Sequence, residues 1–444
     1  MDKRLRRLVF IGFFLVFVII APIIILHTSG YRFDWLQKRL FKTSLISVNT
    51  EPRGATVVLN GVIQSKKTPV FLSDLLPGTY SIQLTMNGFL PWQESVTVQS
   101  RRATVLGTID LIADQSPQVL ITRNVIQVSP TANLDAAFVL SQTENNLTLE
   151  RIALPSGTVQ NLGEYSSDTR LLTEPFEDRI LITSPDKTSS RIYLVDAKTS
   201  LGAQPLDFIT EDLRQWQWIS NNELMGLSDN GLCSVRIAEQ KIDCQPLASS
   251  SFWIANKSLY YLTHDDKTTY LYYAKNRDIH QAELIARLPL SDQYRLVSDN
   301  PKIPVLIDVA TQDLYTMNLK DSLTSLVRLP KAAKAAAWNR DHSQLLYYND
   351  YEMSTWQPDD DMRTLLTRVS TPISTAAWCG DYPHIAMSSV NKLSLLDSQT
   401  SPAASIALAD NVGDWLTVDP DGRWVIYLIN HQSQSSLWLR RLHE

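Results

Sequence analysis

Cysteine is scarce in this chain, with 3 in 444 residues, and no two of them form a Cys-x-x-Cys pair. That leaves zinc-ribbon and dithiol redox motifs without support. The seven histidines (His27, His264, His280, His342, His384, His431, His443) show no His-x-x-x-His spacing, and neither a Gly-x-Ser-x-Gly elbow nor a phosphate-cradling glycine loop occurs. No nucleophile is assembled with a base, so the chain is expected not to be an enzyme and to carry no cofactor and no metal. Polybasic runs are missing too: 41 Lys and Arg stand against 46 Asp and Glu, giving net charge -5 and a pI near 5.9. Nucleic acid is therefore not an expected partner. Long Ser, Gln or Pro tracts are also absent, so the modules follow one another closely.

Two acidic clusters, Asp265-Asp266 and Asp359-Asp360-Asp361, offer the hard oxygen ligands that Ca²⁺ takes. Neither has the spacing of a calcium loop, and both read as solvated turns, as does Asp419-Pro420-Asp421-Gly422.

What the chain does have begins at the N-terminus. Residues 1–7 form a basic tail with Lys3, Arg4, Arg6 and Arg7, and Leu8 to Leu26 then runs without a charge. At 1.5 Å per residue that run makes about 28 Å of helix, close to the ~30 Å hydrocarbon core, so residues 8–26 are expected to span a bilayer. Pro22 inside it is tolerable in a membrane helix. The run exceeds a signal-peptide core, and no small-x-small cleavage site follows before Tyr31. Residues 27–43 form a neck. There, Tyr31, Phe33 and Trp35 suit the interfacial belt, and Leu36, Leu40 and Phe41 beside Lys38, Arg39 and Lys42 fit either a short amphipathic helix on anionic headgroups or a plain linker.

Turn signals then crowd together. Glu51-Pro52-Arg53-Gly54-Ala55 opens a strand around Val57 and Leu59, and Asn60-Gly61 reverses it, because both residues tolerate positive φ. Thr68-Pro69, Leu76-Pro77-Gly78-Thr79-Tyr80 and Asn87-Gly88-Phe89-Leu90-Pro91-Trp92 follow in order. Over residues 44–112 this series resembles the PEGA domain, a small β-module of prokaryotic surface proteins, with Arg53 standing at the family's namesake glutamate. The resemblance implies a non-catalytic, extracytoplasmic module that contacts other surface components. Trp92 is expected to serve its small core. The Lys/Arg counts on the two sides of the apolar run tie, and the resemblance breaks the tie: N-terminus in the cytoplasm, C-terminal domains outside.

Residues 113–444 repeat. Ala336-Ala337-Trp338-Asn339-Arg340-Asp341 with Leu345 matches Ala376-Ala377-Trp378-Cys379-Gly380-Asp381 with Ile385, a spacing of 40 residues. Val418 with Asp421 and Val425 keeps the frame. Trp218 with Asn221, Trp253 with Asn256, Val297 with Asn300, and weaker starts near Val128 and Thr173 extend it. Each unit reads as an apolar strand ending at an Asp or Asn that caps a turn, followed by an apolar, aromatic strand such as Leu345-Leu346-Tyr347-Tyr348. Short strands repeated at about 40 residues are the signature of propeller blades. The set resembles degenerate WD-repeat-like propellers, without the Gly-His and Trp-Asp pairs. The final unit ends after Leu437-Trp438-Leu439 with no room for a fourth strand, so Gln118 to Ile121 is expected to close the ring. The repeat tryptophans are expected to pack between blades.

The fold expected is thus mainly β: one N-terminal transmembrane helix, a small sandwich-like PEGA module, and a seven- or eight-bladed β-propeller. Cys233 and Cys244 flank an apparent hairpin and are either a disulfide or two small buried thiols, whereas Cys379 is expected to be buried. The function expected is that of a membrane-anchored extracytoplasmic binding or scaffold protein, presenting the module and propeller to an envelope protein or glycan. The alternative is an extracytoplasmic propeller enzyme acting on glycans or peptides.

Overall fold

A computed structural model of the chain describes residues 3–28, 31–34, 39–100, 102–185, 190–199, 201–255, 257–297, 303–317, 326–329, 332–399, 403–431 and 434–444. Helix α1 (Lys3–Thr28) contains the apolar run and Pro22. Its side chains are described over residues 10–26, where large apolar groups point outward, Phe10 and Phe13 each being 73% exposed. Among the described residues no helix is long and apolar enough to cross a membrane. The side chains of Leu8 and Val9, with which the expected span begins, lie outside them.

Neither alternative for the neck, a short amphipathic helix or a plain linker, describes its residues 31–34 and 39–42. Strand β1 (Tyr31–Asp34) pairs antiparallel with β2 (Arg39–Lys42), Tyr31 opposite Lys42 and Asp34 opposite Arg39. Tyr-Arg-Phe-Asp alternates aromatic and charged residues with period two, which suits a pleated strand better than a helix. Trp35, Leu36 and Lys38 lie outside the described residues.

The chain divides into two compact units, residues 1–116 with 442–444, and residues 117–441. In the first, β3 (Ser44–Glu51), β4 (Thr56–Leu59), β5 (Val62–Ile63), β6 (Val70–Leu75), β7 (Gly78–Thr85), β8 (Trp92–Val98) and β9 (Thr104–Asp110) make two sheets. Their orders are β6-β3-β9, with β3 parallel to β9, and β5-β4-β7-β8. Strict alternation of burial along β3 turns Ile46 and Val48 inward, where they meet Val57, Ile82, Leu84, Val96 and Val98. Trp92 packs partly buried against that core. Asn60 and Gly61 make the reversing turn with φ of 46° and 81°.

The Glu51–Ala55 turn is held from inside. Buried Thr68 shares a 2.6 Å hydroxyl bond with buried Thr50 and accepts from the Ala55 and Gly54 amides at 2.9 and 3.2 Å, while Thr50 donates to Pro52 O at 2.8 Å. Arg53 sits exposed on the turn, so the departure from the family's glutamate disturbs no packing.

The second unit consists of eight four-stranded antiparallel sheets. Seven are sequential, over residues 125–165, 170–205, 215–245, 251–289, 294–329, 335–368 and 373–410. The eighth, residues 412–441, takes its outermost strand from β10 (Gln118–Ile121), which lies antiparallel to the final strand with Val119 opposite Trp438. These are the blades of a propeller, numbered first to eighth, and the strap closes the ring as its leftover position in the sequence requires. Asn256 and Asn300, which belong to two of the repeat anchors, lie outside the described residues.

Each blade's second strand is buried on both faces, which explains its near-continuous apolar runs. In the sixth blade Leu345 and Tyr347 join Val305 and Leu314 of the fifth, whereas Leu346 and Tyr348 join Ile385 and Met387 of the seventh. Period two thus serves two neighbours at once. Each such side chain contributes about 1.5–3 kcal/mol through burial.

The hydroxyl cluster under the Glu51–Ala55 turn yields a test. Thr68→Val keeps shape but leaves the Ala55 and Gly54 amides without that acceptor, so the first unit should lose about 1–3 kcal/mol. Urea unfolding followed at Trp92 checks this; an unchanged midpoint would mean the hydroxyl is dispensable.

Candidate functional site

The turns between first and second strands gather the most chemistry. In the sixth blade Asn339 Oδ1 accepts from Gln344 N and Asp341 Oδ1 from Ser343 N, both at 2.9 Å. In the eighth, Asp419 Oδ1 accepts from Trp424 N at 2.5 Å. These caps are of the expected kind, but two expected caps do something else. Asp381 Oδ2 and Asp421 Oδ1 each lie 3.1 Å from Nη1 of Arg340, which also reaches Pro420 O at 3.4 Å. Arg423 binds the other oxygen of Asp421 at 2.6 Å. Three blades thereby meet at one guanidinium.

Two glycines permit the approach. Gly380 (φ 57°) and Gly422 (φ 74°) are left-handed, and a Cβ on either would stand 2.5 Å from Asp421 C or 2.2 Å from Cys379 O. Only glycine satisfies both the dihedral and the contact.

The four charged groups are about half exposed, Asp381 most so at 73%. Each pair is therefore worth little by itself, about 0–1 kcal/mol. Two cavities of about 390 Å³ flank them. One is lined by Asn133, Asp135, Pro155, Arg340, Asp421 and Trp424. The other is lined by Asn339, Asp341, Gln344, Trp378, Asp381 and Tyr382. Planar amides, carboxylates and a guanidinium beside indole and phenol rings can hydrogen-bond hydroxyls or peptide groups while covering an apolar face.

Beneath the seventh-blade turn, burial pushes the Cys379 thiol up to about 12, an unreactive state matching the expected role. Burial also drives His384 down to about 4, against an opposing pull from Asp397.

Other residues singled out in the sequence sit apart. Cys233 and Cys244 lie directly opposite on adjacent strands of the third blade, Cα atoms 4.0 Å apart, joined in a disulfide with S–S 2.03 Å. Asp265 is a turn cap: it accepts from Lys267 N, Thr268 N and the Tyr270 hydroxyl, and these bonds hold its carboxyl below the usual range. Asp361 Oδ1 takes Trp356 Nε1 at 3.0 Å and Arg363 at 3.1 Å. Among the described residues no group of three or more His, Cys, Asp or Glu could hold a metal ion.

The tryptophans reach between blades, Trp378 Nε1 donating to Ala337 O at 3.0 Å and Trp218 Nε1 to Thr173 Oγ1 at 3.1 Å. Arg340 was missed as a site residue, although the repeat alignment holds its signal. It is a long cation at the position where the next two units have Gly380 and Pro420.

Two outcomes are expected here. Gly422→Ala forces the eighth-blade turn off the seventh, which should lower stability by about 2–4 kcal/mol, typical of backbone strain with overpacking, in thermal or urea melts. His384 titrates near 6.5 when unfolded but near 4 when folded. Its contribution is therefore complete above pH 6.5 and is lost as pH falls from 6.5 towards 4, by roughly 3 kcal/mol. His384→Gln should flatten that part of the stability profile between pH 7.5 and 4.5; an identical slope in both proteins would refute it.

Comparison with known proteins bears on both units. The PEGA domain model matches residues 43–110. No curated protein sequence matches the chain. Among solved structures, one described as the eukaryotic initiation factor aligns with TM-score 0.52 at 9% identity, over 75% of this chain and 94% of its own. The Dos1 propeller aligns with TM-score 0.48 at 10% identity, over 74% and 95%. An oligogalacturonate lyase in complex with manganese aligns with TM-score 0.43 at 12% identity, over 71% and 99%. Identities this low speak to fold alone. The chain therefore carries a PEGA domain at residues 43–110, joined to a β-propeller whose eight sheets close through β10.

Proposed function

We propose that this protein is a membrane-anchored extracytoplasmic binding or scaffold protein, whose propeller offers the turn face around Arg340 to an envelope protein or glycan. The observation that carries the reading is the convergence of three blades on Arg340 between two cavities lined by amides, carboxylates and aromatic rings. Loops held on a rigid ring bind without needing to reorganise, and the site pairs no nucleophile with a base.

The anchor in this reading is the uncharged run Leu8–Leu26 within α1. Its outward phenylalanines and isoleucines would each lose about 1.5–3 kcal/mol in water relative to an apolar surrounding, so lipid is the environment the helix favours. The PEGA match favours the outer side, since such modules belong to surface proteins.

A second reading, an extracytoplasmic propeller enzyme acting on glycans or peptides, is favoured by one observation: the Asp381 and Asp421 carboxylates share a nitrogen. Their separation falls in or below the range of about 5–10 Å that glycoside hydrolysis uses. Against it, both acids are ion-paired and well exposed.

Two measurements decide. External protease added to intact cells or spheroplasts should digest the domains after residue 43 while a cytosolic marker survives; protection would overturn the outward anchoring. With an identified partner, Arg340→Ala should weaken binding about 10-fold or more, as loss of a charge-assisted anchor does. Asp421→Asn separates the readings, since it would abolish turnover in an enzyme but only weaken a binding site.

A further inference from the structure

The turn Asn60-Gly61 leads into an aliphatic pair that the core of the first unit leaves uncovered. Val62 and Ile63 make up the whole of β5, and they are 64% and 70% exposed. β5 is an edge of the sheet β5-β4-β7-β8, with Val62 opposite Leu59 and Ile63 opposite Val58. Lys66 and Lys67 follow, both exposed. Backbone bonds from Gly54 N to Thr68 O and from Thr68 N to Ala55 O, each 3.0 Å, bring the exposed Arg53 turn beside them. From Pro52 to Ser73 the chain carries these three cations and no Asp or Glu. None of the three has an ion-pair partner among the described residues.

Three kinds of occupant could cover such a tip, and its make-up separates them. A partner strand needs a row of free backbone groups, but β5 is two residues long and Gln64 Nε2 already donates to Val62 O at 3.0 Å. A protein interface, including one with a second copy, has a core enriched in aromatic residues and depleted in lysine. Residues 52–70 contain no aromatic residue, and two of their three cations are lysines. An anionic bilayer takes what is present. Aliphatic side chains enter the boundary between headgroups and acyl chains, while lysine stems lie along apolar surface and leave their ammonium groups at the phosphates.

We propose that the Val62–Ile63 tip docks on a membrane carrying anionic lipid, with Arg53, Lys66 and Lys67 at the headgroups. The module thereby gains an attachment besides the anchor proposed for α1, close to it in sequence, since α1 ends at Thr28 and β3 begins at Ser44. The docking uses only groups of the module and does not depend on that anchor.

The test places an environment-sensitive fluorophore on the full chain through Ser65→Cys, at an exposed position beside the tip. Cys379 is buried and Cys233 is joined to Cys244, so the label goes to the introduced thiol. With vesicles of phosphatidylcholine and phosphatidylglycerol, emission should shift to the blue and be quenched by nitroxide-bearing lipid; with phosphatidylcholine alone, both effects should be largely lost. Lys66→Gln with Lys67→Gln should lower the docked-to-free ratio about 10-fold or more, at roughly 5-fold per lysine. Val62→Asn with Ile63→Asn should abolish the quenching at unchanged melting temperature, because both side chains lie outside the core. An unquenched label, equal quenching in the two kinds of vesicle, or indifference to the lysines would each overturn the proposal. So would a shift that follows protein density instead of phosphatidylglycerol content, which would assign the tip to a second copy. Carbonate washing of the same vesicles afterwards reports the anchor separately. Chain retained with a label that was never quenched leaves the anchor and sinks the docking; chain released after quenching in anionic vesicles does the reverse.

Discussion

A ring of blades depends on what happens at the inner edge of each innermost strand. That strand is paired on one side only, and its other row of N–H and C=O groups faces inward, where an unmet group costs about 1–3 kcal/mol. Side chains of the preceding blade meet part of the row. Gln127 donates to Leu171 O at 3.2 Å and accepts from Leu171 N at 3.0 Å. Gln215 grips Phe252 in the same two-ended way, and Gln217 grips Ile254. Arg295 donates to Lys334 O, Lys334 to Ile373 O, and Thr375 to Asp414 O. In these contacts the earlier blade reaches to the later one. The two tryptophan bonds, Trp378 to Ala337 and Trp218 to Thr173, run the opposite way. Adjacent blades are thus clasped in both directions by groups that also stop the inner strands from acting as open edges.

The clasp constrains the turns that follow each innermost strand. Once Trp378 is tied to Ala337, the seventh-blade turn must pass close to its neighbours, and at Gly380 and Gly422 the approach leaves no room for a side chain. Arg340 can span three turns only because their backbones are that close. The charged network is a consequence of blade geometry and contributes little to stability itself, since its groups are half in water. Its importance is positional: it fixes two carboxylates and a guanidinium between the cavities.

Much of this was legible in the chain. The 40-residue spacing, the turn pairs Asn60-Gly61 and Pro77-Gly78, and the spare strand Gln118 to Ile121 each express a local rule with one structural solution. Register of the third-blade hairpin was not legible, because a one-residue slip would have turned Cys233 and Cys244 to opposite faces. The neck misled for a related reason: Tyr31 to Lys42 mixes aromatic and basic residues that satisfy a helix and a strand alike, and pairing of β1 with β2 decided between them. Arg340 escaped because its partners lie 41 or more residues away. Sequence distance hides contacts of that kind from any local pattern.

Arg340 also shows why charge alone does not identify a binding group. Arg340 has three acceptors within 3.4 Å of one nitrogen and stands half in water, so a partner meets its remaining guanidinium N–H groups together with the turns it holds. The Arg340 face, made of turns from three blades with two cavities beside them, suits a large partner that buries area.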